Sequence, residues 1–493
     1  MTTSVAGQNL EPSSPAGERD SRQPTILVTL LKIAIAIALF RMLMAGLHGI
    51  DILGDSARYR PDQPGESALS LMGWWDGRSP GFTVQLVNAL PGWLTASIQG
   101  LVAGIAWGLC ALTAAASARG RAGSIALFTL ISLWGIAPWF EAWDTAAMTE
   151  SLTYSGAAVA VGGAFLVVAP RADQRLNSLF ALNHCGELFL FGGVILLMCT
   201  RSSAVTLWAP FVLGVWWLAR KCKTSTVSSP VAKRLSIALV AVFAAAAVFT
   251  GLQAQQSAAW WAQNRMGLRG NNVEYQQLAS RSGMPDCPDL TQLMNNPDWS
   301  QRMNQIRTVQ CPGLEQWWDG GGVGALAELT SLPNLTISRY LDDIKAQWTP
   351  SIDANSWTFW SGWIDPHIGP ELNDLLGLNG ALALLCISGS LCYAGFVVVR
   401  LKGRRGDRIG ALAPLAVLGW FYLAVAVYSV GTYLENADDV RRVSMPATAL
   451  VPVATLLALA MSWASLRTRT PTLSGTADLP GSATTELTQP VPR

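Results

Sequence analysis

Residues 26–50 read ILVTLLKIAIAIALFRMLMAGLHGI. They run straight into Asp51 and then into Gly54-Asp55-Ser56-Ala57-Arg58-Tyr59-Arg60. As one helix the apolar run is long enough to cross a hydrocarbon core of about 30 Å. It is longer than a signal-peptide core and ends without a small-residue cleavage pattern, so it reads as a retained membrane anchor. If the helix continues past it, Asp51 and Asp55 stand one turn apart and share a face. A carboxylate at a membrane exit is partly desolvated, which raises its proton affinity and makes it a candidate general base. Ordinary solvent-facing loop residues have the same composition.

Working outward, the chain has 493 residues, of which 51% are hydrophobic and 13% charged. Soluble proteins carry about 25% charged residues, so this chain belongs in a bilayer. A net charge of +2 and the lack of a basic patch interleaved with aromatics argue against nucleic acid as a partner. The eight cysteines show no Cys-x-x-Cys and no Cys/His cluster, which argues against a structural zinc site.

Apolar runs predict an all-α, polytopic helical bundle of about ten spans: 26–50, 93–116, 124–140, 147–169, 187–200 with part of the preceding segment, 204–219, 235–252, 376–399, 409–430 and 447–466. Lys and Arg fall in every second connection, with Arg119, Arg121, Arg171, Arg175, Lys221, Lys223, Arg400 and Lys402 among them. That sorting puts both termini in the cytoplasm and the large polar segments outside. The expected organisation is a disordered tail over 1–24, a membrane module over 25–252 with a first outer loop at 51–92, an extracytoplasmic segment over 253–375, further spans over 376–466, and a second disordered tail over 467–493.

Several charged positions fall at predicted outer helix ends. Glu150, in Thr149-Glu150-Ser151-Leu152, stands at the start of the fourth span, where an ionisable group needs a partner or a polar cavity, although it also complements the helix dipole. Arg201 interrupts the fifth and sixth spans, and Arg441 and Arg442 precede Met445-Pro446 at the entrance to the last. Guanidinium groups there suit a phosphate, and snorkelling to headgroups accounts for each singly. Trp357, Trp360 and Trp363 fall in the outer segment, where flat rings stack on sugars, cover an acyl chain or pack at the interface. Cys287 and Cys311 are the cysteines of that polar segment, either bridged by an oxidising exterior or left as thiols. Gly320-Gly321-Gly322-Val323-Gly324 lacks the Lys-Ser/Thr of a phosphate loop and reads as a flexible hinge before a helix. His48, His184 and His367 are isolated in sequence and are assigned to neither metal nor proton transfer.

The acidic first loop around Asp55, the Thr-Glu-Ser-Leu start of the fourth span and Arg-Arg-Val-Ser-Met-Pro before the last helix together resemble the GT-C class of membrane glycosyltransferases. The relatives in view are protein O-mannosyltransferase-like and aminoarabinose-transferase-like enzymes of bacteria. The resemblance implies a polyprenyl-phosphate sugar donor, a glycan or protein acceptor, and a site on the outer side of a bacterial cytoplasmic membrane. It implies a first-loop Asp as base and Arg441 or Arg442 on the donor phosphate. Many members have an adjacent acidic pair in the first loop. Here the carboxylates are Asp51 and Asp55, and either can be the base. No cofactor is identified, and the metal requirement is left open. The rival readings are a transporter or lipid flippase, which would place ionisable groups near the bilayer midplane, and a non-catalytic membrane scaffold.

Overall fold

The computed structural model describes residues 23–50, 90–118, 120–137, 140, 144–145, 150–200, 202–221, 237, 240, 241, 244, 248, 258–334, 337, 379–402, 405–435 and 448–467. They form helices and connections, with no strand among the described residues. The membrane bundle comprises α1 (Gln23–His48), α2 (Gly92–Ser117), α3 (Arg121–Gly135), α4 (Glu150–Val168), α5 (Pro170–Phe180), α6 (Cys185–Thr200) and α7 (Ser202–Lys221). A polar unit follows, with α8 (Ala258–Arg269), α9 (Val273–Arg281), α10 (Pro288–Met294), α11 (Trp299–Gln305), α12 (Leu314–Asp319) and α13 (Ala325–Ser331). The chain then returns to apolar helices α14 (Asn379–Arg400), α15 (Arg405–Glu435) and α16 (Val451–Arg467).

Among the described residues five helices are long and apolar enough to cross a bilayer, or six if α5 and α6 count as one broken span. Helix length among the described residues thus accounts for five or six of the spans expected from sequence. The third run, expected to reach residue 140, stops at Gly135, because Pro138 disfavours helix for the residue before it and cannot continue the ladder. The fifth turns by 82° between α5 and α6, across left-handed Ala181 (φ 51°) and His184 (φ 65°). α7 carries Pro210 in its interior, and the last run forms the 17 residues of α16. Most of 235–252 lies outside the described residues.

Lipid offers no hydrophobic reward for helix association, so membrane helices gain by close packing of small residues. The sequence supplies them at helical spacing. Gly100, Gly104 and Gly108 of α2 lie against Arg41, Ala38 and Ala34 of α1, running antiparallel. A methyl group at Gly108 would sit 3.2 Å from Ala34 Cβ, and one at Gly104 would overlap the Ala38 backbone. Gly156 and Gly163 of α4 meet Gly193, Leu190 and Gly186 of α6 in the same way. Gly214 of α7 leaves room for the Trp420 ring of α15, and Trp208, Phe211 and Phe421 interlock beside it with ring centroids 5.6–5.8 Å apart. Between α14, α15 and α16 the joint is polar: the Tyr422 hydroxyl lies 2.8 Å from Thr455 Oγ1 and 3.4 Å from Ser390 Oγ.

At the end of the bundle where α2 finishes, α5 lies across the helix termini. Its Arg175 donates to the carbonyls of Ala116 (2.9 Å) and Ala118 (3.1 Å), satisfying acceptors that the end of α2 leaves open. Asp173 accepts from Gly186 N and Asn177 from Cys185 N, so side chains of α5 cap the start of α6 across the bend. Arg121, Arg400, Lys402 and Arg408 flank the same end.

Replacing Gly104 by Leu should push α1 from α2 and cost about 1–3 kcal/mol or more. Gly389→Leu, on a face of α14 with nothing within 4 Å, should be neutral. Thermal melting of the two variants in detergent should separate them, and equal melting would contradict this packing.

Candidate functional site

A buried polar cluster occupies the opposite end of the bundle, where α1 and α3 finish and α2 and α4 begin. Its centre is Arg41, two turns inside the end of α1 and only 4% exposed. Arg41 Nε donates to Asp144 Oδ2, and Nη1 donates to the Gly135 carbonyl at 2.6 Å. Asp144, fully buried in the connection from α3 to α4, accepts from Ser151 Oγ at 2.7 Å through its other oxygen. One guanidinium thus ties the last carbonyl of α3 to the first turn of α4. Thr95 and Gln99 of α2, Thr145, and Thr153 and Ser155 of α4 are further buried polar residues on the same elements, and Ser155 Oγ donates to the Ser151 carbonyl at 2.8 Å.

The energetics explain why these groups come as a set. A lone charge at this depth is costly, and a guanidinium paired with a carboxylate offsets much of that cost only when hydrogen bonds satisfy the remaining atoms. Asp144 has a charged and a neutral donor. Arg41 has a carboxylate and a carbonyl, while its Nη2 is buried with no hydrogen-bond acceptor. Gly100, under the Arg41 backbone, lets α2 approach closely enough to wall the cluster.

The last helix reaches this same end. Trp134 Nε1, one residue from the end of α3, donates at 3.0 Å to the carbonyl of Ala449, just before α16. Gly156 of α4 packs on Leu197 of α6, which places buried Thr200, at the end of α6, beside the start of α4. The elements that adjoin Glu150, Arg201 and Arg441-Arg442 in sequence therefore converge.

Of the residues singled out from sequence, Glu150 is the first residue of α4, next to Ser151 of the cluster; only its backbone is described. Asp51, Asp55, Arg201, Arg441, Arg442, Trp357, Trp360, Trp363 and His367 lie outside the described residues. Neither Arg41 nor Asp144 is among the residues that the sequence reading selects. The signal for Arg41 was in the open, a charged residue inside a 25-residue apolar run, where an intramembrane ionisable group calls for a named partner. Asp144 carried no comparable signal, since it sits in a polar turn and its partner is 103 residues away.

The polar unit from α8 to α13 has its own core of Ala262, Met266, Tyr275, Ala279, Leu290, Met294, Ile306, Leu314 and Trp318. Cys287 and Cys311 are bonded across 24 residues of sequence, with Cα atoms 6.1 Å apart, joining the start of α10 to the approach to α12. Arg302, 2% exposed, donates to the carbonyls of Gly267 (2.8 Å), Leu268 (3.2 Å) and Asn296, so a buried cation closes the end of α8 where the helix dipole is negative. Arg269 pairs with Glu328 of α13, and Arg265 donates to the Val323 carbonyl at 2.9 Å. The glycine run read as a flexible hinge is instead a hydrogen-bonded turn. Gly321 (φ 88°) and Gly322 (φ 52°) adopt left-handed conformations that fold the chain back on Trp317 and Trp318.

Burial and, less strongly, the nearby Glu328 carboxylate push the Tyr275 phenol upward, against the opposing pull of Arg265 and Arg269. The neutral form is the one the fold accepts. The stability it contributes is present below the ordinary phenol value of 10.0 and falls as pH rises above it. No group of three or more His, Cys, Asp or Glu among the described residues is placed to hold a metal ion. Comparison with protein-family models, with curated proteins and with solved structures gives no match.

Ser151→Ala, which strips a donor from a buried carboxylate, should cost about 1.5–3 kcal/mol, whereas Ser155→Ala, which loses only a bond to the backbone within its own helix, should cost under about 1 kcal/mol. Unfolding titrations in mixed micelles would distinguish the two, and a harmless Ser151→Ala would speak against the cluster. Reducing the Cys287–Cys311 bond should destabilise the polar unit by about 3 kcal/mol. Limited proteolysis should then give new cleavage within α8–α13 only after reduction.

Proposed function

We propose that this chain is a GT-C-like membrane glycosyltransferase of about ten spans, set in a bacterial cytoplasmic membrane with both termini inside. It moves a sugar from a polyprenyl-phosphate carrier to a glycan or protein acceptor on the outer side. The observation that carries this reading is convergence: Glu150 at the start of α4, the Arg41–Asp144–Ser151 cluster and the approach to α16 meet at one end of the bundle. The Thr-Glu-Ser-Leu segment runs into α4, and the Arg-Arg-Val-Ser-Met-Pro segment precedes α16 in sequence. The basic residues flanking the opposite end agree with a cytoplasmic placement of that end.

In this mechanism Asp55 or Asp51 takes the proton from the acceptor hydroxyl. The freed oxygen attacks the anomeric carbon from the face opposite the phosphate, and the carbon–oxygen bond to the carrier breaks with inversion. The departing polyprenyl phosphate keeps the electron pair, and Arg441, Arg442 or Arg201 stabilises its growing charge. Glu150 orients the acceptor or shares the base's role. Trp357, Trp360 and Trp363 cover the sugar or the first isoprene units.

A second reading, a transporter or flippase, draws on the intramembrane ion pair and on the 82° break between α5 and α6. The two diverge in cells. The transferase requires that deletion and the double variant Asp51→Asn, Asp55→Asn each accumulate a lipid-linked sugar and lose one outer glycan, with the variant protein at normal abundance; full complementation by Asp55→Asn alone would assign the base to Asp51. Accumulation of the lipid-linked sugar on the cytoplasmic leaflet alone would favour the flippase, and an unaltered glycan and lipid profile in the deletion strain would end both readings.

A further inference from the structure

The bend that joins α5 to α6 sorts its charges onto opposite sides. Arg171 and Arg175 stand one turn apart on α5, so they share a face of that helix. Asp173 lies on the other side, its carboxylate taken by Gly186 N at 2.8 Å and Asn177 Nδ2 at 3.1 Å. Glu187, in the first turn of α6, belongs to that side too, within the field of His184 and Asp173. The cationic face is turned toward the end of α2, where Arg175 Nη1 donates to the carbonyls of Ala116 and Ala118. Arg121, the first residue of α3, follows Ala118 by three residues, a reach of at most about 11 Å. Arg121 and Arg171 are exposed, and neither is paired with a carboxylate among the described residues. Three arginines thus stand around the turn from α2 to α3, and Arg119 belongs to the same turn in sequence.

We infer that Arg121, Arg171 and Arg175 form a site for the headgroup of an anionic phospholipid. Phosphate oxygens accept paired hydrogen bonds from planar guanidinium groups, and three such groups with the carboxylates of the bend turned away make a local field that favours an anion. The depth is that of a headgroup. α5 meets α6 at 82°, so it lies across the bundle axis at the level where the spans end. Beyond Arg121, the large apolar side chains Ile125, Leu130 and Leu133 of α3 are exposed, as are Leu182 and Leu188 at the bend. Acyl chains have a wall there that a free phosphate would leave unused. Snorkelling places each arginine in the headgroup layer independently of the others. Here Arg175 is held by two carbonyl bonds, so lipid binding has to order only Arg121 and Arg171. The site is at the opposite end of the bundle from the Arg41 cluster and does not rest on the glycosyltransferase reading.

The test uses the full-length protein, delipidated in detergent and titrated with dioleoyl-phosphatidylglycerol or dioleoyl-phosphatidylcholine. Retained lipid is counted by native mass spectrometry, and thermal melting is followed in parallel. The double variant Arg121→Gln, Arg171→Gln removes the two exposed cations and leaves Arg175 with its carbonyl bonds. A control, Arg400→Gln with Lys402→Gln, removes the same charge from two other exposed residues at this end. The native protein should prefer phosphatidylglycerol by about tenfold or more, and the first double variant should lose about tenfold or more of that affinity. The preference should weaken as salt rises, and the control should keep it. Both arginines are exposed, so melting without lipid should not change; if it does, the single variants carry the comparison, each binding about threefold or more weakly. Equal binding of the two lipids, or undiminished binding by the Arg121/Arg171 variants, would overturn the inference. So would an equal loss in the control, which would assign the preference to the charge of the whole end. Displacement of the lipid by excess glycerol phosphate would overturn it as well, making the ligand a soluble phosphate.

Discussion

A buried charge in a membrane helix has to be answered, and the answer given to Arg41 sets how one end of this bundle is built. Its guanidinium spans Asp144 and the Gly135 carbonyl, and Asp144 in turn holds Ser151. The distance that the chain must cover between α3 and α4 is thereby fixed at both ends. Close approach of α2 is a precondition, since Gly100 lies under the backbone of Arg41 and a larger side chain there would lever α1 away. Packing and electrostatics are therefore one constraint here. The glycine stripe brings the helices together, and the ion pair fixes what that closeness joins.

The two parts of the chain solve the burial problem in different solvents. In the bundle, apolar surface faces outward, as with Leu384, Leu385 and Leu391 of α14, and the polar groups turn inward. In the unit from α8 to α13 the order is inverted, with a small apolar core, a disulfide and a carboxamide-rich exterior. A core of that size leaves little margin, which is why a covalent staple and a buried arginine at a helix end carry so much of its integrity. Both parts use arginine in a similar manner, as a multi-donor clip on carbonyls or carboxylates that the fold would otherwise leave unsatisfied.

Much of the helix layout was legible in sequence because hydrophobic length reports directly on lipid. α1, α2, α4, α14 and α15 follow the apolar runs within a few residues. The departures arise where local chemistry interrupts a run: Pro138 beyond α3, and the left-handed corner at Ala181 and His184. The glycine run at 320–324 misled because glycine marks both flexibility and tight turns, and the carbonyls of Gln316, Trp317 and Trp318 decide for the turn. Of the candidate site, Glu150 and the convergence of helix ends were visible from alternation of loops. The Arg41–Asp144 pair was not, because no periodicity links residues 103 positions apart.

Arg41 and Asp144 act as one unit at this end of the bundle. A double-mutant cycle over Arg41→Met and Asp144→Asn, measured by unfolding in mixed micelles, tests it most directly. Each single change should cost about 3–5 kcal/mol by stranding a buried partner, while the double variant, with no charge left to strand, should lose far less than the sum. Losses that simply add would mean that the two side chains do not depend on each other, and the cluster would no longer explain how this end of the bundle is held.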